Sequence, residues 1–334
     1  MPERKPSEEA AKKHPSGLVD MVGIMATVGD PRRGHGKRHK LEDVATIALC
    51  TVICGASEFT EMECFGKLRR GWLEGFLELP NGIPSHDTLR NVMVAIDPAE
   101  FMGAFALWTR NVYRKSGGEV VAFDGKALRG TKRDMEEMTT MVGAWAAGAG
   151  ISLGQVEVEG NSNEWERSGH SQPEAARRAS AARQITALPK LLELLDLEGC
   201  IVTADAMGCQ RQVATKCVEA GAGYVLAVKG NQPDLHDQVS GAMDAIAEDE
   251  EAHHSEENQG RGRTESRRCW ATDGVGDWLE GHEKWEGLRS IAVVESERTE
   301  KGATSVERRY FISSLPPDAA KIAAAARSHW RVEN

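Results

Sequence analysis

Residues 199–210 read GCIVTADAMGCQ: a short apolar run stops at an acid, Asp205, and gives way to small residues. The run predicts a buried strand. An ionised carboxylate at the end of such a strand is costly unless it is paired or binds a cation. The common alternative is an aspartate that caps the helix that follows. The choice between these interpretations depends on the side chains that the fold brings to the same place.

The block around this stretch, residues 120–232, predicts seven elements in the order β-β-β-α-β-α-β. They are a strand that stops at Asp124, a hairpin within 138–159, helices within 185–199 and 209–221, and strands within 200–205 and 223–232. Three antiparallel strands followed by alternating helices and parallel strands make a mixed sheet with helices on its faces. The predicted fold class is therefore α/β.

The rest of the chain surrounds this block with further segments. We expect a disordered N-terminus (1–17), a small all-helical domain (18–116) and an α/β domain (117–334) that carries a polar loop insertion (164–184), a β-rich insertion (about 236–316) and a final helix (319–334). No GxxxxGK[ST] sequence occurs, and GAGISLG lies between two strands with the wrong spacing for a dinucleotide fingerprint. The sequence therefore predicts neither a P-loop nor a dinucleotide site.

The composition is that of an ordinary globular protein. The 334 residues are 40% hydrophobic and 28% charged, and no apolar run approaches the length of a membrane span. We therefore expect no membrane partner and a cytoplasmic location. Seven cysteines without CxxC pairs argue against both a disulfide framework and a zinc ribbon, and predict reduced, mostly buried thiols.

The net charge of −10 disfavours nucleic-acid binding by itself, since Lys and Arg supply most of the affinity for phosphates. The charge is unevenly distributed, however. DPRRGHGKRHK (30–40) is strongly basic and predicts DNA contacts from Arg32, Arg33, Lys37 and Arg38. DAIAEDEEAHHSEE (244–257) is strongly acidic and is interpreted as a solvated face or a flexible loop.

Two acids follow predicted strands of the same sheet. If the strands that lead to Asp124 and Asp205 are parallel neighbours, both carboxylates emerge at one edge of the sheet. Carboxylates that close repel each other unless a cation lies between them, and hard oxygen ligands suit Mg²⁺ or Mn²⁺. A third acid on a helix packed across that edge would complete a site for two ions. Glu333, in HWRVEN (329–334), is placed to be that acid.

Six motifs together resemble one protein family. They are GIPSHDTLR (82–90), AFDGKALRG (122–130), VTADAMGCQ (202–210), GYVLAVKGNQ (223–232), YFISSL (310–315) and HWRVEN (329–334). The chain resembles the DDE transposases of bacterial insertion sequences, in the branch that carries a helical associated domain ahead of an RNase H-like core. The resemblance extends from about residue 18 to residue 334.

The resemblance implies a function and its residues. Asp124, Asp205 and Glu333 would be the catalytic acids and would hold two Mg²⁺ or Mn²⁺ ions for phosphodiester hydrolysis and transesterification. The implied partners are transposon-end and target DNA, and a second copy of the chain in a homodimer or higher assembly. The implied location is the nucleoid in the cytoplasm.

Several basic residues lie near the predicted acids. Lys126, Arg129 and Lys229 follow core strands and could clamp phosphates, although a solvated lysine at a strand end is an equal alternative. His329 and Arg331, on the final helix, are also predicted DNA contacts. Asn231 and Gln232 are interpreted as a turn, and Ser85 with Asp87 as a helix cap.

Two departures from the family pattern and three alternatives remain. The insertion at 164–184 is absent from the family pattern, and the chain stops one residue after Glu333, which suggests a truncated or impaired copy. One alternative function is an RNase H-like nuclease without strand transfer, and another is a non-catalytic remnant that binds DNA ends. A phosphatase with Asp124 as nucleophile is less favoured, because FDGK lacks a second acid two residues on.

Overall fold

The computed structural model describes residues 16–34, 37–116, 120–127, 140–158, 185–260, 263–300 and 303–329. The chain divides into two compact units, Met1–Lys115 and Ser116–Asn334. Nearly all of the segment predicted to be disordered, and the whole predicted loop insertion at 164–184, lie outside the described residues.

The first unit is helical, as predicted. Its helices are α1 Ser16–Met25, α2 Leu41–Ile53, α3 Phe59–Leu68, α4 Arg70–Leu73, α5 His86–Ala95 and α6 Pro98–Ser116. α2 ends just before Gly55, whose φ of +94° favours glycine. The Ser85 hydroxyl accepts the Thr88 N–H at 3.3 Å, which confirms the predicted cap of α5. Leu73 and Leu89 are fully buried in the apolar core of this unit.

No single helix among the described residues meets both requirements of a membrane span, its length and its apolar composition. One bent pair, α5 with residues 98–111, meets them together, but the two helices are 100° apart. Val92 of α5 and Ala104 of α6 are buried in the core of the first unit, where apolar helix faces are expected.

The second unit contains one nine-stranded sheet. Its strands are β1 Val120–Ala127, β2 Thr140–Ala146, β3 Ile151–Glu157, β4 Ile201–Ala204, β5 Gly223–Val228, β6 His254–Gly260, β7 Arg263–Thr272, β8 Ser290–Glu300 and β9 Ala303–Ser313. Their order in the sheet is β3-β2-β1-β4-β5-β9-β8-β7-β6. β1, β4 and β5 are parallel, and all other neighbours are antiparallel. The sheet is therefore mixed.

Helices lie between and after these strands. They are α7 (185–194), α8 Arg211–Glu219, α9 Pro233–Asp249, α10 Val275–Trp278 and α11 Ala319–His329, with short 3₁₀ turns at Ala206–Gly208 and His282–Lys284. The predicted order β-β-β-α-β-α-β is confirmed over β1 to β5. The α/β class and the preceding helical module are likewise confirmed, and the arrangement is consistent with an RNase H-like core.

The first strand is longer than predicted. It does not stop at Asp124 but continues to Ala127. Residues 124–127 keep their pairing with β2, where Asp124 lies opposite Gly143. On the other side, the ladder with β4 ends at Phe123 and Ala204. Asp124 therefore lies within a strand that has lost one of its two neighbours, rather than at a strand end.

One of the two interpretations of the acidic stretch at 244–257, the flexible loop, differs from the structure. The stretch forms the end of α9 and the start of β6, so the prediction of a flexible loop is wrong. α9 packs through buried Val239, Ala242 and Met243. β6 contains no large apolar residue, and its strand conformation comes from antiparallel pairing with β7. The predicted β-rich insertion thus contains a long helix as well as four strands.

The cysteines match the expectation from their spacing. All seven are unpaired, and five of them are buried. Burial raises the pKa of the Cys209 thiol to about 12, which keeps it protonated. These side chains pack as small apolar groups.

A row of charged side chains crosses β7, β8 and β9. Glu295 on β8, only 4% exposed, accepts hydrogen bonds from Arg268 on β7 and from Arg308 Nε on β9 at 2.7 Å. Arg308 Nη1 also donates to Asp244 Oδ1 of α9 at 2.8 Å. Burial raises the pKa of Glu295, but the hydrogen bonds from Arg308 and Arg268 outweigh burial and hold it below the ordinary value. This row ties three strands and a helix together.

Replacement of Glu295 by Gln should lower the free energy of unfolding at pH 7 by about 1–3 kcal/mol, because two arginines lose a charged partner. A lowered pKa in the folded state means that the contribution is present above the ordinary value of 4.5 and is lost as pH falls through the folded-state pKa. Urea unfolding of the wild-type protein and of the Glu295→Gln variant, at pH 7 and at pH 4, measures this loss of stability. Exposed Glu297→Gln on the same strand is the control. An equal deficit at both pH values would contradict the prediction.

Candidate active site at the ends of the parallel strands

Asp124 and Asp205 come from neighbouring parallel strands. Phe123 of β1 lies opposite Ala204 of β4, and the two acids are the next residues on their chains. The structure thus confirms that these two strands are parallel neighbours. The predicted site needed this pairing, because only then do both acids emerge at one edge of the sheet. Side chains alternate between the two faces of a strand, so Asp205 shares its face with Thr203.

That face is the one covered by α11. Val120 and Ile201, which alternate onto the same face as the two acids, pack in one apolar cluster with Ile322 of α11. Asp124 and Asp205 both line one small cavity, whose other walls include Leu188 and Gly208. The two acids are therefore neighbours just past the paired part of β1 and β4.

Asp205 also caps the turn that follows it. Its Oδ1 accepts the N–H groups of Met207 at 3.0 Å and Gly208 at 3.3 Å. The capping interpretation is thus correct for Oδ1 of Asp205. Both cap hydrogen bonds go to this oxygen, so the cap does not use Oδ2. Because the turn holds Oδ1, the orientation of the carboxylate is restricted. The cap and the cation-ligand interpretations are compatible.

Two amides beyond β5 hold the same turn, and their role could not be seen in the sequence. Asn231 Nδ2 donates to the Ala206 carbonyl at 2.7 Å, and Gln232 Nε2 donates to the Cys209 carbonyl at 3.1 Å. The segment around Asn231 is a turn, as interpreted, but its side chains also fasten the segment after Asp205. The only sequence signal is a pair of amides at the end of a neighbouring strand.

Lys126 lies beside Asp124. Its Nζ is 3.5 Å from Asp124 Oδ2, and its side chain is about half exposed whereas that of Asp124 is mostly buried. Residues i and i+2 of a strand share a face, so Lys126 brings positive charge to the carboxylate edge. A lysine in this position offsets part of the repulsion between neighbouring acids.

A second cavity borders Asp205 on the side of β5 and β9. Its walls include Lys229, His236, Arg309, Tyr310 and His329. Lys229 thus reaches the edge where the sequence predicted it. The cavity combines cationic and aromatic side chains with an apolar floor beside the acid.

His329 has a different environment from that expected of a DNA contact. It is 8% exposed, and its Nδ1 lies 3.3 Å from Thr203 Oγ1 in the interior. Such burial does not support a contact with DNA, and the ring instead joins α11 to β4. Arg129, Arg331 and Glu333 lie outside the described residues.

The basic stretch of the first unit is partly neutralised. Arg32 donates from Nε and Nη2 to Asp30 at 2.9 and 3.1 Å, and only 10% of its side chain is exposed. Lys37 Nζ lies 3.5 Å from the same carboxylate. The hydrogen bonds from Arg32 hold the pKa of Asp30 below its ordinary value. This geometry does not support Arg32 as a DNA contact, whereas Arg33 and Arg38 are exposed.

Two of the described acids have the chemistry of metal ligands. Within the described residues, no group of three or more His, Cys, Asp or Glu side chains is arranged to hold an ion. Asp124 and Asp205 nevertheless offer hard oxygen donors from adjacent strands, the ligand type that Mg²⁺ and Mn²⁺ prefer. The pair fits a divalent cation as two of its ligands.

Two acids that directly follow the paired part of neighbouring parallel strands, in such a mixed sheet, are consistent with RNase H-like proteins that act on nucleic acids. A family model described as "Transposase DDE domain" matches residues 168–334, and one described as "DDE_Tnp_1-associated" matches residues 22–109.

Curated relatives agree with these matches. The chain is 38% identical to an "Uncharacterized protein in dhlA 3'region" of Xanthobacter autotrophicus, over 87% of this chain and 93% of the relative. It is 34% identical to the "Putative transposase YncI" of Escherichia coli O157:H7, over 95% of this chain and 77% of the relative. It is 31% identical to the "H repeat-associated putative transposase YhhI" of Escherichia coli K12, over 95% of this chain and 81% of the relative. The chain belongs to the DDE transposase family, which generally uses divalent metal ions.

Proposed function

We propose that this protein is a DNA transposase that cuts the ends of an insertion sequence and joins them to target DNA, with Asp124, Asp205 and Glu333 as the catalytic acids. The observation that carries the proposal is the meeting of Asp124 and Asp205 at one end of adjacent parallel strands. Family membership supports it independently. Glu333 is proposed from its place in the chain, four residues after His329, whose ring contacts β4 two residues before Asp205.

The acids would act by holding two Mg²⁺ or Mn²⁺ ions. When bound, such a pair lowers the pKa of the attacking water or 3′-hydroxyl group and stabilises the leaving oxygen at phosphorus. The contribution of Asp205 is a carboxylate whose orientation is fixed by the turn that it caps. Asp124 contributes a second carboxylate, and Lys126 beside it would bind a phosphate oxygen of the incoming strand.

DNA would be bound by cationic side chains in both units. In the second unit, we propose Lys229 and the lysine beside Asp124, with Arg129 and Arg331 from outside the described residues. In the first unit, the exposed side chains of Arg33, Lys37 and Arg38 are the better candidates. Two transposon ends must be brought together for transfer, so we propose a homodimer or higher assembly that works on DNA at the nucleoid.

A product assay tests the function. The full chain is incubated with a labelled duplex that carries the repeats flanking its gene, a target plasmid and Mg²⁺ or Mn²⁺. We expect nicks at the repeat ends and labelled target that contains the joined end, both abolished by EDTA. Cuts without joined product would refute strand transfer and favour a plain nuclease. Binding without any cut would refute both enzymatic functions.

A further inference from the structure

The final helix, α11, has an unusually smooth packing surface. Its sequence is AAKIAAAARSH, in which Ile322 is the one large apolar side chain among buried alanines. Alanines bury little area each and form no pronounced ridges to fit the grooves of a neighbour. Apolar packing alone therefore defines the rotation and axial position of α11 only loosely.

Polar contacts at the C-terminal end of α11 fix the rotation and axial position that the apolar packing leaves loose. Arg327 Nη1 donates to Glu256 Oε1 and Oε2 at 3.0 and 2.9 Å, and its Nη2 donates to Asn258 Oδ1 at 3.4 Å. Two residues further on, His329 contacts Thr203. Residues two apart on a helix point about 200° away from each other. The helix is thus held from opposite sides.

The strands that hold α11 lie far apart in the sheet. Thr203 is on β4 and Glu256 is on β6, five positions away in the strand order. In a flat sheet these strands would be about 24 Å apart. α11 contacts β1, β4 and β5 as well as β6, β7 and β8. The sheet therefore curls around the helix, which brings its edge strand to the side of α11 opposite β4.

Glu256 is itself anchored on the sheet. Arg267 Nη1, on β7, lies 3.4 Å from Glu256 Oε1, and only 30% of the Glu256 side chain is exposed. Glu256 therefore connects the β-rich insertion to the last turn of α11. That turn directly precedes the segment with the proposed third acid.

We propose that Glu256 and Asn258, on β6, are positioning residues for the reaction. They hold Arg327, fix the rotation of α11, and so place the acid that follows this helix against Asp124 and Asp205. This role rests on the proposed function. Neither residue contacts the substrate, and both act through the helix.

Three variants test the role. Arg327→Met removes every donor, Glu256→Gln removes the charge of its partner, and Arg327→Lys keeps the charge and a donor. The matched control is Glu300→Gln, which breaks the Arg298–Glu300 pair. That pair is 46% and 48% exposed, against 45% and 30% for Arg327 and Glu256, and it joins two residues of β8.

We expect Arg327→Met and Glu256→Gln to lower the single-turnover cleavage rate by about 10- to 100-fold, the range for residues that orient metal ligands. DNA affinity and the thermal unfolding midpoint should stay close to wild type, because a partly exposed ion pair, here 45% and 30% exposed, contributes little to stability. Arg327→Lys should recover most of the rate, and Glu300→Gln should change nothing. Hydrogen–deuterium exchange within 319–329 should rise only in the two impaired variants.

Cleavage rates within about twofold of wild type would overturn the positioning role and leave the proposed function intact. A loss of DNA affinity in parallel with the rate would also overturn it, because Arg327 would then be a DNA contact. Absence of cleavage by the wild-type chain would overturn the proposed function, and the positioning role with it.

Discussion

Replacement of Asp205 by Asn should lower the rate of DNA cleavage by about a thousandfold or more. A carboxylate that holds a catalytic cation contributes several kcal/mol to the stabilisation of the transition state, and about 4 kcal/mol corresponds to a thousandfold change. Asp124→Asn should have an effect of the same size, because both acids border one cavity. The measurement is the single-turnover cleavage of a labelled transposon end in Mg²⁺.

The fold should survive both substitutions. The Asn Oδ1 at position 205 can still accept the N–H groups of Met207 and Gly208, so the turn keeps its cap. The control is Asp237→Asn, an acid of α9 with 85% of its side chain exposed, which should cleave at the wild-type rate. A rate within tenfold of wild type for either active-site variant would refute the proposed role of that acid.

Gly208→Ala should impair both stability and cleavage. A Cβ at position 208 would lie 2.4 Å from the Cβ of Ala204 and 3.1 Å from Cδ1 of Leu188. Overpacking of this kind typically costs about 1–3 kcal/mol. Because Gly208 N–H donates to Asp205, the shift that relieves the clash also moves the carboxylate, and a misplacement of about 1 Å can cost a hundredfold in rate.

A second substitution tests the cause. Ala204→Gly removes the atom that clashes, so the double variant should recover most of the cleavage rate. Gly230→Ala, past the end of β5, meets nothing within 4 Å and serves as the control. Urea unfolding and single-turnover cleavage measure the two effects. Failure of Ala204→Gly to restore the rate would contradict the steric explanation.

The sequence predicted the parts of this fold that local pattern determines. The hairpin and the alternating helices and strands up to β5 were readable from apolar periodicity and turn residues. The parallel pairing of the strands that lead to Asp124 and Asp205 was a condition of the predicted site, and the structure confirms it. Those elements carry the proposed chemistry. The third acid, Glu333, stays a prediction because it lies outside the described residues.

Long-range contacts determine what the sequence did not predict. β6 reads HSEENQG, which has no apolar alternation, and becomes a strand only because β7 pairs with it. The extension of β1 past Asp124 likewise depends on β2. The burial of His329 follows from its long-range contact with Thr203, which a basic residue type does not reveal. The pairing of Arg32 with Asp30 is local, but the residue types alone do not show that these two side chains bind each other.

The cap formed by Asp205 has a consequence for cation affinity. A free aspartate samples several rotamers, and a ligand that needs one of them must restrict the others upon binding. Here the chain restricts them when it folds, because the N–H groups of Met207 and Gly208 already hold Oδ1. An ion bound by the proposed site would therefore meet a preorganised oxygen, and the entropy of ordering this side chain would be lost once, in folding, rather than in each binding event.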